Sequence, residues 1–237
     1  MGCMRSYVIG DIHGCLEELG YLIEGLPLEA GDRLIFLGDY IDRGPDSKGV
    51  ISFLLELEKT SYEPIFLKGN HEDMLLSYLG LNGQHGDMFL YNGGKATLAS
   101  YGFSSPIPAG DEALCLIPST HLEFYEKLAS YYIMEPFLCV HAGIHPLKTL
   151  KDQTESELLW IRNQFIYSSH ALPYTVLFGH TPQNDVIYDL PFKIGLDTGL
   201  VYGNKLTCLE ANEKVLYQVQ RGKKAVTCLS IKAKWNS

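Results

Sequence analysis

The chain has 237 residues, of which 46% are hydrophobic, and its formal net charge is −9. This length allows one sizeable core, and we predict a single domain over residues 1–237. Such an acidic chain is a poor candidate for sequence-independent nucleic-acid binding, which depends on Lys and Arg neutralising phosphates. No apolar run approaches the roughly 18 residues that span a bilayer, so we expect no membrane partner.

The first 80 residues alternate short apolar runs with helical patterns. The runs "SYVIG", "DRLIFLGDY" and "EPIFLKGN" indicate buried strands. Apolar residues at helical spacing in "CLEELGYLIEGL" and "DSKGVISFLLELEK" predict the helices between them, the second capped by Asp46 or Ser47. Strands that alternate with helices indicate βαβ units and parallel pairing. The predicted fold class is therefore α/β.

Residues 81–112 differ from the rest because Gly, Asn and Pro crowd this stretch. We predict a loosely structured excursion with one short helix at residues 95–101. Excursions of this length inside a compact domain are often lids or binding loops. The excursion is short for a cap domain, so we expect an open, shallow site beside it.

The C-terminal half is predicted to contain two further helices and several short strands. Capping boxes begin the helical patterns "STHLEFYEKLASY", at Thr120 and Glu123, and "TESELLWIRNQF", at Thr154 and Glu157. Two strands are expected between these helices, at residues 131–134 and 137–140. The chain from Tyr174 onwards consists mainly of short strand patterns.

The six cysteines include no Cys-x-x-Cys pair. In a chain that is not short and lacks a secretory leader, this indicates reduced thiols instead of a disulfide framework. We therefore expect a cytoplasmic protein.

Polar side chains follow five of the predicted strands at the point where each strand ends. In an α/β sheet, ligands collect at the carboxyl ends of strands. Any one of these residues alone has an ordinary explanation, such as a turn aspartate or a buried histidine. Together they predict six ligands for two divalent ions, and one carboxylate must then bridge the ions. The ligands are Asp11, His13, Asp39, Asn70, His141 and His180.

Asp39 is the natural bridging residue because it follows the middle strand of the first three. The ligand atoms are nitrogen and oxygen with no cysteine, which favours manganese, with iron or zinc as alternatives. Two such ions can hold a phosphoryl group and deprotonate the attacking water near neutral pH. A neutral Asn70 keeps the site positive, which suits an anionic substrate.

His71 is adjacent to Asn70, so the two side chains diverge. We interpret His71 as the general acid that protonates the leaving oxygen, with Asp42 orienting its imidazole. Arg43, in the turn after Asp39, is a candidate for binding phosphate. Arg162 is a second candidate, and its alternative is a solvated arginine on a helix face.

Five ordered motifs, "GDIHG", "GDYIDRGPDS", "GNHE", "HAGI" and "GHT", resemble the metallophosphoesterase signature, and specifically its phosphoprotein phosphatase branch. "WIR" is similar to bacterial and phage members, which gives Arg162 a substrate contact. The resemblance implies a β-sandwich of two mixed sheets flanked by helices. It also implies that Asp11, His13 and Asp39 hold one metal ion, and that Asp39, Asn70, His141 and His180 hold the other.

The function implied by the resemblance is removal of phosphate from phosphoserine, phosphothreonine or phosphotyrosine proteins. A metal-bound hydroxide would attack the phosphorus, with His71 as the acid. The alternative is a symmetrical diadenosine tetraphosphate hydrolase, which "GLDTGLVYGNKLTCLE" also resembles. The presence of both Asp42 and Glu72 favours the protein-phosphatase branch. Because all six predicted ligands and His71 are present, an inactive scaffold on this fold is disfavoured.

Overall fold

The structure, a computed structural model, describes residues 4–103 and 110–235. These residues form eleven strands: β1 (Ser6–Ile9), β2 (Arg33–Phe36), β3 (Glu63–Phe66), β4 (Tyr131–Met134), β5 (Phe137–Val140), β6 (Thr175–Phe178), β7 (Ile187–Asp189), β8 (Lys193–Gly195), β9 (Lys205–Glu210), β10 (Val215–Gln220) and β11 (Val226–Ser230). They also form eight α-helices: α1 (Leu16–Gly25), α2 (Ser47–Leu57), α3 (Asn70–Tyr78), α4 (Lys95–Ser100), α5 (Asp111–Leu114), α6 (Ser119–Glu126), α7 (Glu155–Trp160) and α8 (Asn163–Ile166).

The strands form two mixed sheets. The first has the order β11-β10-β9-β1-β2-β3, and the second has the order β4-β5-β6-β8-β7. β1, β2 and β3 pair in parallel, as the alternation of strands and helices predicts, whereas β9 joins β1 antiparallel. In the second sheet, β5, β6 and β8 run parallel. The α/β class and the arrangement of two mixed sheets flanked by helices are confirmed.

The alternation of side chains along β1 shows how the layers pack. Val8 faces the second sheet, where it packs in one cluster with Phe137 and Leu177. Tyr7 and Ile9 point to the opposite face, into the cluster that α1 and α2 cover. A third cluster lies between the second sheet and the helices α7 and α8. Both faces of the central parallel strands are therefore buried, which explains their continuous apolar runs.

Of the two predicted capping boxes, one is confirmed and one is wrong. Thr154 caps α7 and exchanges hydrogen bonds with Glu157, so that prediction is confirmed. The capping box at Thr120 is wrong. α6 already begins at Ser119, with Pro118 in the N-cap position and no side-chain cap bond. Thr120 therefore lies inside the first turn of the helix and cannot act as its cap.

The excursion at residues 81–112 is more ordered than predicted, although residues 104–109 lie outside the described part. Before the expected helix, which is α4, the chain forms a 3₁₀ turn at Gly86–Met88 and a π-helical turn at Leu90–Gly94. The Gly-rich composition that suggested a loose loop instead permits these tight turns, because Gly93 has a φ of +106°.

The five cysteines in the described residues are free thiols, and three of them are buried. None of the helices in the described ranges combines the length and apolar character that a membrane-crossing segment needs.

Candidate active site

The structure brings the predicted site residues together where the carboxyl ends of β1, β2, β3, β5 and β6 meet. All six predicted ligands and His71 are at least 95% buried, since their exposed fractions run from 0 to 4%. The two sheets thus contribute to one cluster: Asp11, His13, Asp39, Asn70 and His71 follow strands of the first sheet, and His141 and His180 follow strands of the second.

Asp39 lies at the centre of this cluster. One carboxylate oxygen, Oδ2, lies 3.5 Å from His13 Nε2 and 3.9 Å from His71 Nε2. The other, Oδ1, lies 3.3 Å from His141 Nε2. Burial alone would raise the pKa of Asp39, but the surrounding histidines, His141 foremost, lower it well below its ordinary value. An ionised carboxylate with one oxygen toward each group of histidines has the geometry that a bridging ligand requires.

The tautomers of two histidines suit metal binding. His13 Nδ1 lies 2.7 Å from the carbonyl oxygen of Ile41, and His141 Nδ1 lies 2.8 Å from that of Leu37. A carbonyl oxygen can only accept, so both Nδ1 atoms donate, and each Nε2 presents a lone pair to the cluster. Burial lowers the pKa of both imidazoles, which favours the neutral form that a metal ligand requires. The donor set therefore fits divalent ions.

Asn70 joins the two histidines of the second sheet. Its Oδ1 lies 3.0 Å from His141 Nε2 and 2.8 Å from His180 Nδ1. Asn70 begins α3 directly after Gly69, so the helix start fixes its direction. This amide oxygen converges on the same space as Asp39 Oδ1, as expected for ligands of one ion.

Asp11 contacts the turn that carries His180. Both of its carboxylate oxygens accept from the backbone N–H of His180, at 3.1 and 2.9 Å. Burial, with the charges of Asp197 and Asp39, raises the pKa of Asp11 well above its ordinary value. A cation would relieve this crowding of carboxylates, so Asp11 as a ligand stays a prediction.

Within the part of the chain that the structure describes, two sets of His and Asp side chains have ligand atoms that lie within 4.8 Å of one another. They are His13, Asp39 and His71, and Asp39, His141 and His180. The second set agrees with the grouping expected for one ion. The first contains His71 in the position where the sequence predicted Asp11.

His71 and Asp42 form a buried pair. His71 Nδ1 lies 2.5 Å from Asp42 Oδ2. Burial disfavours the imidazolium, but Asp39 and Asp42 outweigh it and raise the pKa of His71 above its ordinary value. Nδ1 donates to Asp42, which leaves Nε2 facing the cluster. The raised pKa and the direction of Nε2 suit a general acid, and this role of His71 stays a prediction.

The two arginines approach the cluster from opposite ends. Arg43 Nη1 donates to His13 Nε2 at 2.5 Å, and Arg162 Nε donates to His180 Nε2 at 3.0 Å. Arg162 does not lie on a helix face, because α7 ends at Trp160 and α8 begins at Asn163. That break directs its guanidinium to the site although the side chain is exposed, so the substrate contact of Arg162 stays a prediction.

Glu72 has a role that the sequence did not reveal. Its carboxylate accepts from the backbone N–H groups of Asp39 (3.0 Å), Tyr40 (2.8 Å) and Gly69 (2.9 Å). Burial and the charge of Asp39 raise its pKa to about 8. Glu72 thereby ties the turn after β2 to the start of α3. The only signal for it is an acid three residues after Gly69, which is an ordinary helix-capping pattern.

Thr97 of α4 is also part of the site, and nothing in its local sequence indicates it. Its hydroxyl lies 2.6 Å from Asp42 Oδ1, across 55 positions of the chain. The excursion therefore contributes directly to the acid pair.

Comparison with known proteins agrees with this geometry. The family described as calcineurin-like phosphoesterase matches residues 4–213. A relative from Oceanobacillus iheyensis, bis(5'-nucleosyl)-tetraphosphatase PrpE (asymmetrical), is 30% identical over 244 residues, covering 91% of this chain and 92% of the relative.

Two solved structures share the fold. One, a protein provisionally assigned as a diadenosine tetraphosphatase, has a TM-score of 0.69 and 24% identity, with coverage of 92% of this chain and 94% of that one. The other is a cold-active protein tyrosine phosphatase with a TM-score of 0.64 and 17% identity, covering 96% of this chain and 79% of that one. At these identities, both establish the fold alone.

Proposed function

The chain belongs to the calcineurin-like phosphoesterase family, and on that premise we propose that it hydrolyses dinucleoside tetraphosphates. The reaction adds water across one phosphoanhydride bond and releases a nucleoside triphosphate and a nucleoside monophosphate. The observation that carries this proposal is the relative that spans nearly the whole chain and is named as an asymmetrical tetraphosphatase. The relative fits the dinucleotide alternative better than the phosphoprotein function favoured by the motifs, and it differs from that alternative in the bond that is cleaved.

The placement of the arginines supports a polyphosphate substrate. Arg43 lies against His13 at one end of the cluster and Arg162 against His180 at the other. A chain of phosphates extends past the reacting group and offers oxygens to both guanidinium forks. Arg43 and Arg162 would then hold successive phosphates and align the bond to be broken.

When bound, two divalent ions, manganese before iron or zinc, supply positive charge for the phosphoryl group and make water more acidic. The residues proposed to hold them are Asp11, His13, Asp39, Asn70, His141 and His180. The tautomers of His13 and His141 support this assignment.

His71 acts on the leaving oxygen. Asp42 accepts from Nδ1, so the proton that is transferred is held on Nε2. A nucleotide leaves as a stabilised anion and needs this proton only in part. An alkoxide, such as the side chain of serine, needs it fully.

That difference favours a second candidate function, a phosphoprotein phosphatase. The specific observation is the His71–Asp42 pair, at 2.5 Å and fully buried, which provides the strong proton donor that an alkoxide requires. The metal ligands and arginines would serve both substrates.

Side-by-side turnover separates the two candidates. Manganese-loaded protein is assayed with diadenosine tetraphosphate, a phosphoserine peptide and a phosphotyrosine peptide, and the nucleotides are separated by chromatography. Asp39→Asn controls for contaminating phosphatases, and His71→Asn reports on the need for the acid. We expect the highest kcat/KM on the dinucleotide, with ATP and AMP as products.

Two results would change the proposal. Paired ADP as the product would restore symmetrical cleavage, and dominant peptide turnover that collapses in His71→Asn would establish the second candidate. If all three substrates remained intact with two metal ions bound, the proposed substrate classes would both be wrong.

A further inference from the structure

The turn after β2 has an unusual backbone. Asp42 and Arg43 are consecutive residues with φ values of +73° and +66°, and neither is glycine. A left-handed conformation at such a residue costs on the order of 1 kcal/mol or more, so surrounding contacts must hold it in place. The strain falls on the residue that orients the acid and on the residue that binds phosphate.

The excursion supplies the contacts that hold this turn. Thr97 Oγ1 donates to Asp42 Oδ1 at 2.6 Å and accepts from the backbone N–H of Asp42 at 2.9 Å. The carbonyl oxygen of Gly93 accepts from the backbone N–H of Arg43 at 3.2 Å. Ser47 Oγ completes the network, 2.9 Å from Thr97 Oγ1.

Gly93 must be glycine for this packing. A Cβ atom there would lie 2.7 Å from Arg43 Cγ and 2.8 Å from its backbone nitrogen, and φ at Gly93 is +106°. The π-helical turn therefore lies directly against the Arg43 backbone. The excursion is a support for the turn after β2.

The two oxygens of Asp42 have separate partners. Oδ1 accepts from Thr97, and Oδ2 lies 2.5 Å from His71 Nδ1. Asp42 and Thr97 have exposed fractions of 0%, so water cannot replace the threonine hydroxyl without a change in packing. The bond from Thr97 fixes the rotation of the carboxylate and hence the direction of the bond to His71.

We propose that Thr97 is a positioning residue that sets the direction of the acid His71 through Asp42. This inference rests on the proposed phosphoesterase chemistry but not on which natural substrate is cleaved. The proposal implies that the orientation of His71 depends partly on α4, which lies outside the βαβ units that carry the predicted ligands.

The test compares Thr97→Val, which keeps the shape and removes the hydroxyl, with Thr97→Ser, which restores it. Thr207→Val is the matched control. Thr207 is a buried threonine of β9, with an exposed fraction of 1%, whose hydroxyl accepts from Gln218 at 2.8 Å. The probes are p-nitrophenyl phosphate, phenyl phosphate and an alkyl phosphate, which share the phosphoryl group and differ in leaving-group basicity.

We expect Thr97→Val to lose activity in proportion to that basicity. The loss in kcat/KM should be a few-fold on p-nitrophenyl phosphate and about 10- to 100-fold on the alkyl phosphate, as for other residues that orient a reacting group. Thr97→Ser should recover most of it. An equal loss on all three probes, or the same pattern in Thr207→Val, would reduce Thr97 to a packing residue and overturn the proposal.

A second measurement does not need turnover. The low-field proton NMR resonance of His71 Nδ1–H, identified by its absence in His71→Asn, should shift or broaden in Thr97→Val and return in Thr97→Ser. An unchanged resonance in Thr97→Val would overturn the proposal about Thr97. If the wild-type protein cleaved none of the probes, that result by itself would contradict only the proposed function.

Discussion

The two sheets contribute to the site in different ways. Turns of the first sheet carry Asp39, Asp42 and Arg43 in left-handed conformations, and Glu72, Thr97 and the carbonyl oxygen of Gly93 hold their backbone N–H groups there. His180, after β6 of the second sheet, is left-handed as well. The second sheet contributes His141 and His180, and both are anchored to the first sheet. His141 Nδ1 bonds to the carbonyl oxygen of Leu37 (2.8 Å), and the N–H of His180 bonds to Asp11 (2.9 Å).

The two sheets therefore have different roles in the site. The first sheet is pre-organised by buried polar contacts that do not depend on the second. The second sheet delivers two imidazoles and Arg162 to a site whose geometry the first sheet has already set. We call the first sheet with its helices the first side of the site, and the second sheet with Arg162 the second side. Substitutions on the first side should therefore affect both catalysis and stability, and substitutions on the second side should affect mainly the binding of substrate.

The largest effect is expected for Asp39→Asn, which removes the charge shared by both sides. We expect kcat/KM to fall by about 10³-fold or more, because both groups of histidines face this carboxylate. Bound metal, measured by plasma mass spectrometry, should fall as well, and a chelator should abolish wild-type activity. A variant that kept its metal and its turnover would show that the two sides do not share Asp39.

The two arginines test the comparison directly. Arg43 is half-buried with its backbone held by Gly93, whereas Arg162 is exposed and bonds to His180. Since a charged hydrogen bond contributes about 1.5–3 kcal/mol, we expect Arg43→Ala to lower kcat/KM about 100-fold and Arg162→Ala about 10-fold. Steady-state kinetics on the best substrate measures both. The reverse order would contradict the claim that the first side is the more organised.

Glu72→Gln tests whether the first side is held by its own polar contacts. The amide keeps the shape but loses one acceptor oxygen, so part of the backbone N–H groups of Asp39, Tyr40 and Gly69 would be left without a partner. We expect the free energy of unfolding to fall by about 1–3 kcal/mol, measured by urea denaturation. Glu63→Gln, at an exposed ion pair with Arg33, is the matched control and should cost about 0–1 kcal/mol.

The smallest effect concerns His121 of α6, which links the excursion to the helices of the first sheet. Its Nδ1 lies 2.7 Å from Tyr101 Oη and its Nε2 lies 3.3 Å from Ser52 Oγ. Burial, with the charge of Lys48, lowers its pKa below the ordinary value of about 6.5. The unfolded chain therefore binds the proton more readily, so this histidine destabilises the fold as pH falls through about 6.5.

The measurement is the free energy of unfolding between pH 8 and pH 5 for the wild type and His121→Gln. The variant should lose less stability than the wild type across this range. Equal slopes would show that the contacts of His121 with Tyr101 and Ser52 are insensitive to its charge and would contradict this prediction.

Much of the fold could be predicted because it is encoded in local patterns. The alternation of apolar strands with helices over the first 80 residues indicates the parallel β1–β3 unit, and the polar residues at strand ends indicate where the site lies. No individual pattern marks β11, because Val226–Ser230 is an edge strand with mostly exposed side chains. Such a strand lacks the alternation of buried and exposed residues on which strand prediction depends.

The sequence by itself determined the order of the elements, the chemistry of the donors and their position at the strand ends, since each depends on periodicity and residue type within a short stretch. Tertiary structure alone decided which donors meet. It brought His71 beside His13 and Asp39, tied Asp11 to His180, and placed Thr97 on Asp42. These contacts join residues far apart in the chain, and a hydrogen bond across such a distance leaves no periodic trace in the sequence, because it forms only when the packed layers bring its partners together.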